Sequence, residues 1–194
     1  TVTLTIAPSK LHNNISSQSK PLVEVHWEEL EWRGELTDSK IYIIGTDTPF
    51  TGISHRFHPN GMKSSQTSWK DGKRHGLSRG WHSNGLKSQE GLRLNDKRVG
   101  LWIYWYDNGQ ELYEKHYRNG KLDGSWVTWY QNGQMEHEGS WKNGKWHGLS
   151  RSWHKNGQKF SESIWKNSKY VSGSEKYWNQ KGERVASYDE AVEN

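Results

Sequence analysis

The sequence predicts an all-β fold, an elongated single-layer antiparallel β-meander solenoid of stacked 24-residue hairpin repeats, and three columns of residues predict it. Gly52, Gly76, Gly100, Gly124 and Gly148 stand 24 residues apart. The pairs Asn60-Gly61, Asn84-Gly85, Asn108-Gly109, Asn132-Gly133 and Asn156-Gly157 keep that spacing, and so does the ring column Phe57, Trp81, Trp105, Trp129 and Trp153. A fixed period of this length marks a repeat architecture, in which each unit completes its packing against its neighbours. A second column of reversals, Asp71-Gly72, Asn95-Asp96, Asn119-Gly120, Asn143-Gly144 and Asn167-Ser168, interleaves with the first, so turns alternate at 11 and 13 residues.

Two reversals per unit mean two strands per unit. Asn-Gly and Asp-Gly supply the positive φ that tight hairpins require, in a two-residue turn or in a longer one closed by a Gly bulge. The short segments between turns leave no room for a helix. In order along the chain, residues 1–21 read as an extended N-terminal arm rich in Ser, Asn and Lys, and residues 22–49 as an N-terminal capping segment with Trp27, Trp32 and the strand-like Ile41-Tyr42-Ile43-Ile44. Terminal units of a solenoid must close its ends, which is the role assigned to that segment. Five repeats fill 50–171; the register then slips by one, because Gly148 to Gly173 is 25 residues. A degenerate capping repeat follows over 172–187 and a tail over 188–194.

Composition agrees with a thin structure. Leu, Ile, Val and Phe together make up only 32 of the 194 residues, whereas 13 Trp and 9 Tyr supply the large side chains. The net charge of +5 is too small, and the ring content too high, for a chain that cannot fold. With no Cys there is no disulfide, thiolate nucleophile or Cys-bound zinc. The longest apolar run, Ile41 to Ile44, falls far short of the roughly 18 residues of a membrane-spanning helix. A start at Thr1 rather than Met leans the expectation toward an exported bacterial protein, periplasmic or extracellular, with the cytoplasm left open. Residues 50–170 carry 20 Lys and Arg against 10 Asp and Glu, between two acidic ends. That balance favours anionic partners at encounter.

The same residues carry a family resemblance. Trp69-Lys70-Asp71-Gly72-Lys73-Arg74-His75-Gly76 and Gly139-Ser140-Trp141-Lys142-Asn143-Gly144-Lys145-Trp146-His147-Gly148 resemble the W-K-N-G-K-x-H-G core of MORN repeats. The recurring W-x-x-N-G step is similar to the bacterial MORN variant of the YwqK-like antitoxin family. Arg93, where other copies place Trp or Tyr, and Ser168, where they place Gly, depart from the pattern. The resemblance implies a single-layer sheet used as a binding or scaffolding surface, and it implies no catalysis and no cofactor.

Motifs that would carry chemistry fail on their context. Gly76-Leu77-Ser78-Arg79-Gly80 fits G-x-S-x-G by letter but lies in a hairpin strand, where the nucleophile elbow of a hydrolase needs a strand-to-helix turn. His58 and His82 share a column one unit apart, about 10 Å, too far to ligate one ion. His75 and His147 fall at turn–strand junctions, where hydrogen bonding is the expected role. Glu90, Glu114, Glu138 and Glu162 form another column, read as a salt-bridged solvated row.

Side chains alternate between the faces of a strand. By parity, one face takes Ile53, Phe57, Leu77, Trp81, Leu101 and Trp105 and is assigned to the structural stack. On the opposite face, polar outer units flank Trp102, Tyr104, Tyr106, Trp126 and Tyr130, a local ring patch in an otherwise repetitive structure. These five are the candidate partner-binding residues, because exposed rings offer large contact area at small entropic cost. The alternative is that they pack on neighbouring strands. The function expected is that of a non-enzymatic protein-binding or scaffolding surface, antitoxin-like if the resemblance extends that far. The alternative is a cell-surface glycan or phospholipid-headgroup binding module. Nucleic acid is disfavoured because bases and acids mix along the chain, and pairing of two chains through the central rings stays open.

Overall fold

The structure, a computed structural model, describes residues 22–35 and 38–193, so the arm expected over 1–21 lies outside the described residues. The cap region contributes β1 (Glu24–His26), a 3-10 turn (Trp27–Glu29), β2 (Leu30–Arg33) and β3 (Lys40–Ile43). The first repeats follow as β4 (Gly52–Phe57), β5 (Lys63–Lys70), β6 (Lys73–Trp81), β7 (Lys87–Leu94), β8 (Lys97–Trp105) and β9 (Glu111–Arg118). Next come β10 (Lys121–Trp129), β11 (Met135–Lys142), β12 (Lys145–Trp146), β13 (Gly148–Trp153), β14 (Lys159–Lys166) and β15 (Lys169–Tyr170). The chain closes with β16 (Lys176–Trp178), β17 (Arg184–Val185) and α1 (Tyr188–Val192). From β4 onward successive strands pair antiparallel in one long sheet, with β12 on β11 and β15 on β14; β1 joins β4 in parallel, and β2 with β3 forms a separate pair. The all-β meander is the observed fold.

The two reversal columns differ in kind. At one rim both central residues hold positive φ, for example Asp71 at +50° with Gly72 at +78° and Asn119 at +49° with Gly120 at +81°. These are two-residue type I′ turns, whose twist matches that of the strands. At the other rim only the Gly of each Asn-Gly pair does so. There Gly61 N–H donates to His58 O and His58 N–H to Met62 O, and the register shifts between Arg56 and Phe57, a turn closed by a bulge. Asp96 at +66° and Ser168 at +60° hold the same backbone without glycine.

Both rims are stitched from one unit to the next. On the Asn-Gly rim, Asn60 Nδ2 donates to Ser83 O at 2.7 Å, and Asn84, Asn108 and Asn132 repeat the contact at the same separation of 23 residues. Beside them, His58 and His82 donate from Nε2 to the Trp81 and Trp105 carbonyls. On the other rim, Gly72 N–H donates to Phe50 O, Asp96 to Arg74, Gly120 to Arg98, Gly144 to Leu122 and Ser168 to Trp146. Those backbone bonds explain how Asp96 and Ser168 are tolerated in place of glycine: a neighbouring unit fixes their amides. The one-residue slip near the C-terminus appears as a separation of 24 in the last pairs, Asn156 to Gln180 and His154 to Trp178.

The ends are closed differently. Val25, Leu30, Ile41, Phe50 and Trp69 form a buried cluster, with Trp27 and Ile43 packed against it. Ile41 N–H donates to Gly72 O at 2.9 Å, which docks the 22–50 region onto the first type I′ turn. At the other end the segment expected as a tail forms α1. Ser187 Oγ accepts from the Glu190 amide as its N-cap, Ala191 is buried, and the Tyr188 ring meets Phe160 and Tyr177 edge-on.

The two faces are the reverse of the expectation. Phe57 and Leu101, assigned to the structural stack, are exposed, as is Leu149 in the column of Leu101, whereas Ser54, Ser78, Thr128 and Ser152 on the opposite face are buried. The reason is local size. Beyond the β2–β3 pair packed on Trp69, no second sheet among the described residues covers the layer, so burial elsewhere arises where rings fold over small neighbours in adjacent strands. The Trp102 indole occupies the space that a Cβ at Gly91 would need, and a Cβ at Gly139 would lie 2.6 Å from the Trp146 ring. This covered side is the inner face below.

Asn132→Ala removes the bond from Nδ2 to Lys155 O at 3.0 Å and the one that Oδ1 accepts from Gln134 N–H at 3.1 Å. Unfolding in urea is expected to show a loss of about 1–2 kcal/mol.

Candidate functional site

The register assembles the inner face across strands. Its central row runs Ser54, Thr67, Ser78, Gly91, Trp102, Lys115, Trp126 and Gly139, each opposite the next. A second row lies nearer the type I′ rim as cross-strand pairs: Trp69 with Arg74, Arg93 with Arg98, Tyr117 with Leu122, Trp141 with Trp146, and Trp165 with Tyr170. Every unit but one puts a ring first in this row. In the exception, Arg93 takes the ring's place and stands directly opposite a second arginine.

The candidate residues divide on this frame. Trp102 is 1% exposed; its Nε1–H donates to Leu92 O at 3.0 Å, and the Arg93 and Arg98 guanidinium carbons lie 5.2 and 4.6 Å from its ring centre. A buried ring beneath two cations is unavailable to a partner, so Trp102 leaves the exposed patch. Tyr104 is half-buried, 4.4 Å from Tyr113, and burial pushes its hydroxyl up to about 12. Trp126 is half-buried two strands from Trp102 with Lys115 between, and its ring meets Trp146 edge-on at 5.0 Å. Tyr106 and Tyr130 sit on the Asn-Gly rim in the column of His58 and His82, and their hydroxyls donate to the Trp129 and Trp153 carbonyls. They staple units as the histidines do. Beside them opens a depression of about 470 Å³, lined also by Gln131, Asn132, Glu136 and Lys155.

Charge is sorted by face. On the outer face, Glu90 accepts from Arg79 at 2.7 Å and Lys87 at 3.1 Å, while Arg151 joins Glu138 at 2.7 Å and Glu162 at 3.1 Å. Glu114, between Ile103 and Val127, has no base across from it, and burial raises its carboxyl. The inner face carries Arg56, Arg74, Arg93, Arg98 and Lys115, and among the described residues no Asp or Glu occupies a paired position there. Acids reach it only from its rims, as Asp96 does toward Arg74 at 3.9 Å and Glu136 toward Thr128. The cations rest on rings instead: Arg56 lies 3.6 Å from the Trp27 centre and Lys115 4.0 Å from that of Tyr113. Burial, reinforced by Arg74 and Arg98, lowers the Arg93 pKa, and burial with Arg98 lowers that of Lys115.

Chain parity had sorted only one strand of each hairpin, so the cross-strand arginines were missed; the departure at Arg93 was the available signal. Ser78 of the G-x-S-x-G string is buried in mid-strand, away from any elbow. His75 Nδ1 is 3.1 Å from Asn95 Oδ1, whereas His147 Nδ1 is buried without a partner. The indole N–H groups of Trp126 and Trp141 on the inner face are likewise buried and unpaired. Among the described residues no helix is long and apolar enough to cross a membrane.

An open ribbon of hairpins, stitched at both rims and differing locally along one face, has the architecture of a repeat module. A family model described as a MORN repeat variant matches residues 98–119, 122–143 and 146–167, three successive units in the 24-residue register. These matches support a MORN repeat protein, and MORN repeats are generally non-catalytic modules that bind proteins or membrane lipids. No curated protein matches the chain significantly.

Bonds from Lys176 and Arg151 hold the Glu162 carboxyl down to about 2 against an ordinary 4.5. A depressed pKa gives stability that is present above the ordinary value and lost as pH falls through the folded one. Glu162→Gln is therefore expected to melt a few degrees lower than the parent at pH 7, the gap closing as pH is lowered from 4.5 to 2 in thermal scans.

Proposed function

We propose that the chain is a non-enzymatic binding protein whose ligand is another polypeptide held on the inner face. The supporting observation is that this face gathers cations whose N–H donors are held in place, while guanidinium groups and other rings already pack against Trp102, Trp126 and Trp146. Sugars and bases are held chiefly by stacking on open rings. Polypeptide side chains and carbonyls are held by donors arranged around a packed centre. Tyr104, Lys115 and Trp126 are the contact residues of this reading, and Trp102 acts from beneath by seating Arg93 and Arg98.

An antitoxin role is the narrower form of the same proposal, in which the bound polypeptide is a toxin; its support is the W-x-x-N-G resemblance. A second reading, a glycan or phospholipid-headgroup module, draws on the depression beside Tyr106 and Tyr130, whose size suits a small ligand. Pairing of two chains through the inner rings would be the same surface used by a second copy.

The test is affinity capture from native extract with the full chain, the inner-face variant Tyr104→Ser/Lys115→Ala and the outer-face variant Leu92→Ser/Leu101→Ser. A protein partner retained by the parent and the outer variant, and lost at least ~10-fold by the inner one, is the expected result. Equal retention by the inner variant would remove the inner face from the reading.

A further inference from the structure

Arg74, Arg93, Arg98 and Lys115 lie on four successive strands, β6 to β9, so the cluster extends about 15 Å across the sheet. Arg93 and Arg98 are direct cross-strand partners. Like charges placed opposite each other destabilise a sheet, and here the Asp96 carboxylate at the rim offsets only part of the repulsion, ion-pairing with neither arginine and reaching Arg74 at 3.9 Å. Arg93 spends one nitrogen on the Asp96 carbonyl at 2.8 Å, Arg98 spends one on the Tyr117 hydroxyl at 3.1 Å, and the Lys115 ammonium lies 4.0 Å from the Tyr113 ring centre. The remaining N–H donors are held in place by the rings beneath. The other units place rings where Arg93 stands, so the repulsion is peculiar to this unit and is not needed by the repeat.

We propose that this cluster binds an acidic segment of a protein partner, a run of Asp and Glu side chains whose carboxylates dock on Arg93, Arg98 and Lys115. This rests on the reading of the inner face as a polypeptide-binding surface and names the chemistry of its ligand. Charge complementarity carries it: the face has no carboxylate of its own at a paired position, its cations are preorganised, and their π partners are used up. Guanidinium pairs are suited to carboxylates because their forked donors match both oxygens. About five extended residues span the cluster. Nucleic acid, which shares the charge, would need open ring faces to stack its bases, and the Trp102 ring is buried.

The experiment titrates the full chain with blocked hexaglutamate, hexaglutamine, a thymidylate hexanucleotide and phosphatidylserine vesicles at about 50 mM salt, followed by Trp fluorescence, and repeats the titration at higher salt. Hexaglutamate is expected to bind more tightly than the other three and to weaken with salt. Arg93→Gln/Arg98→Gln should weaken it at least ~10-fold, Lys115→Gln several-fold, and Lys87→Gln on the outer face not at all. Near-UV circular dichroism checks the fold; if the double variant unfolds, Lys115→Gln and the charge-keeping Arg93→Lys/Arg98→Lys decide. Equal binding of hexaglutamate and hexaglutamine, indifference to Lys115→Gln, or tighter binding of the nucleotide or vesicles would overturn the proposal. Failure here together with retained inner-face capture of a protein would sink the acidic chemistry alone; failure of both would sink the surface.

Discussion

Left-handed backbone at regularly spaced residues is the constraint on which the rest of the molecule depends. One rim turns through two residues of positive φ and the other through a single glycine after Asn, and their alternation returns the chain in register. Because the turns recur in register, each Asn side chain meets a carbonyl of the following turn, and each type I′ turn amide meets the preceding unit. Turn geometry thus supplies coupling between units as well as reversal within them. In a ribbon with so few aliphatic side chains, that coupling replaces much of what a two-layer core would contribute.

Burial follows from the same thinness. Small residues on one face give rings from adjacent strands somewhere to lie, as Gly91 does for Trp102 and Gly139 for Trp146. The outer face leaves Leu92, Leu101, Leu149 and Ile164 exposed, while most of its acids and bases pair with one another. Both the repetition and its interruption therefore have physical content. Rings at Trp69, Tyr117, Trp141 and Trp165 build the inner face, and Arg93 interrupts them where the cations gather.

The period, the two strands per unit and the positions of the turns were legible in the sequence because they are backbone requirements that few residue types satisfy, whereas which rim carries the two-residue turn and which the bulged one was left open. Asn-Gly and Asp-Gly declare positive φ wherever they stand. Which face is covered was not legible, since parity gives two faces without saying which one its neighbours enclose. Tyr106 and Tyr130 looked like part of a ring patch because they are aromatic, yet their hydroxyls make the bond that His58, His82 and His154 make elsewhere. Charge misled in another way. Summed along the chain, Lys and Arg mix with Glu; summed over a face, the acids fall on one side and Arg93, Arg98 and Lys115 on the other.

The stitching reaches only from each hairpin to the adjacent one, and the two ends are anchored unequally. At the start a cluster of five buried side chains plugs the ribbon, whereas at the finish a helix of five residues is held by Ala191 and two ring contacts of Tyr188. Under mechanical tension, such a molecule yields like a zip, one tooth after another from the weakly fastened side, and the apolar plug is the last part to let go.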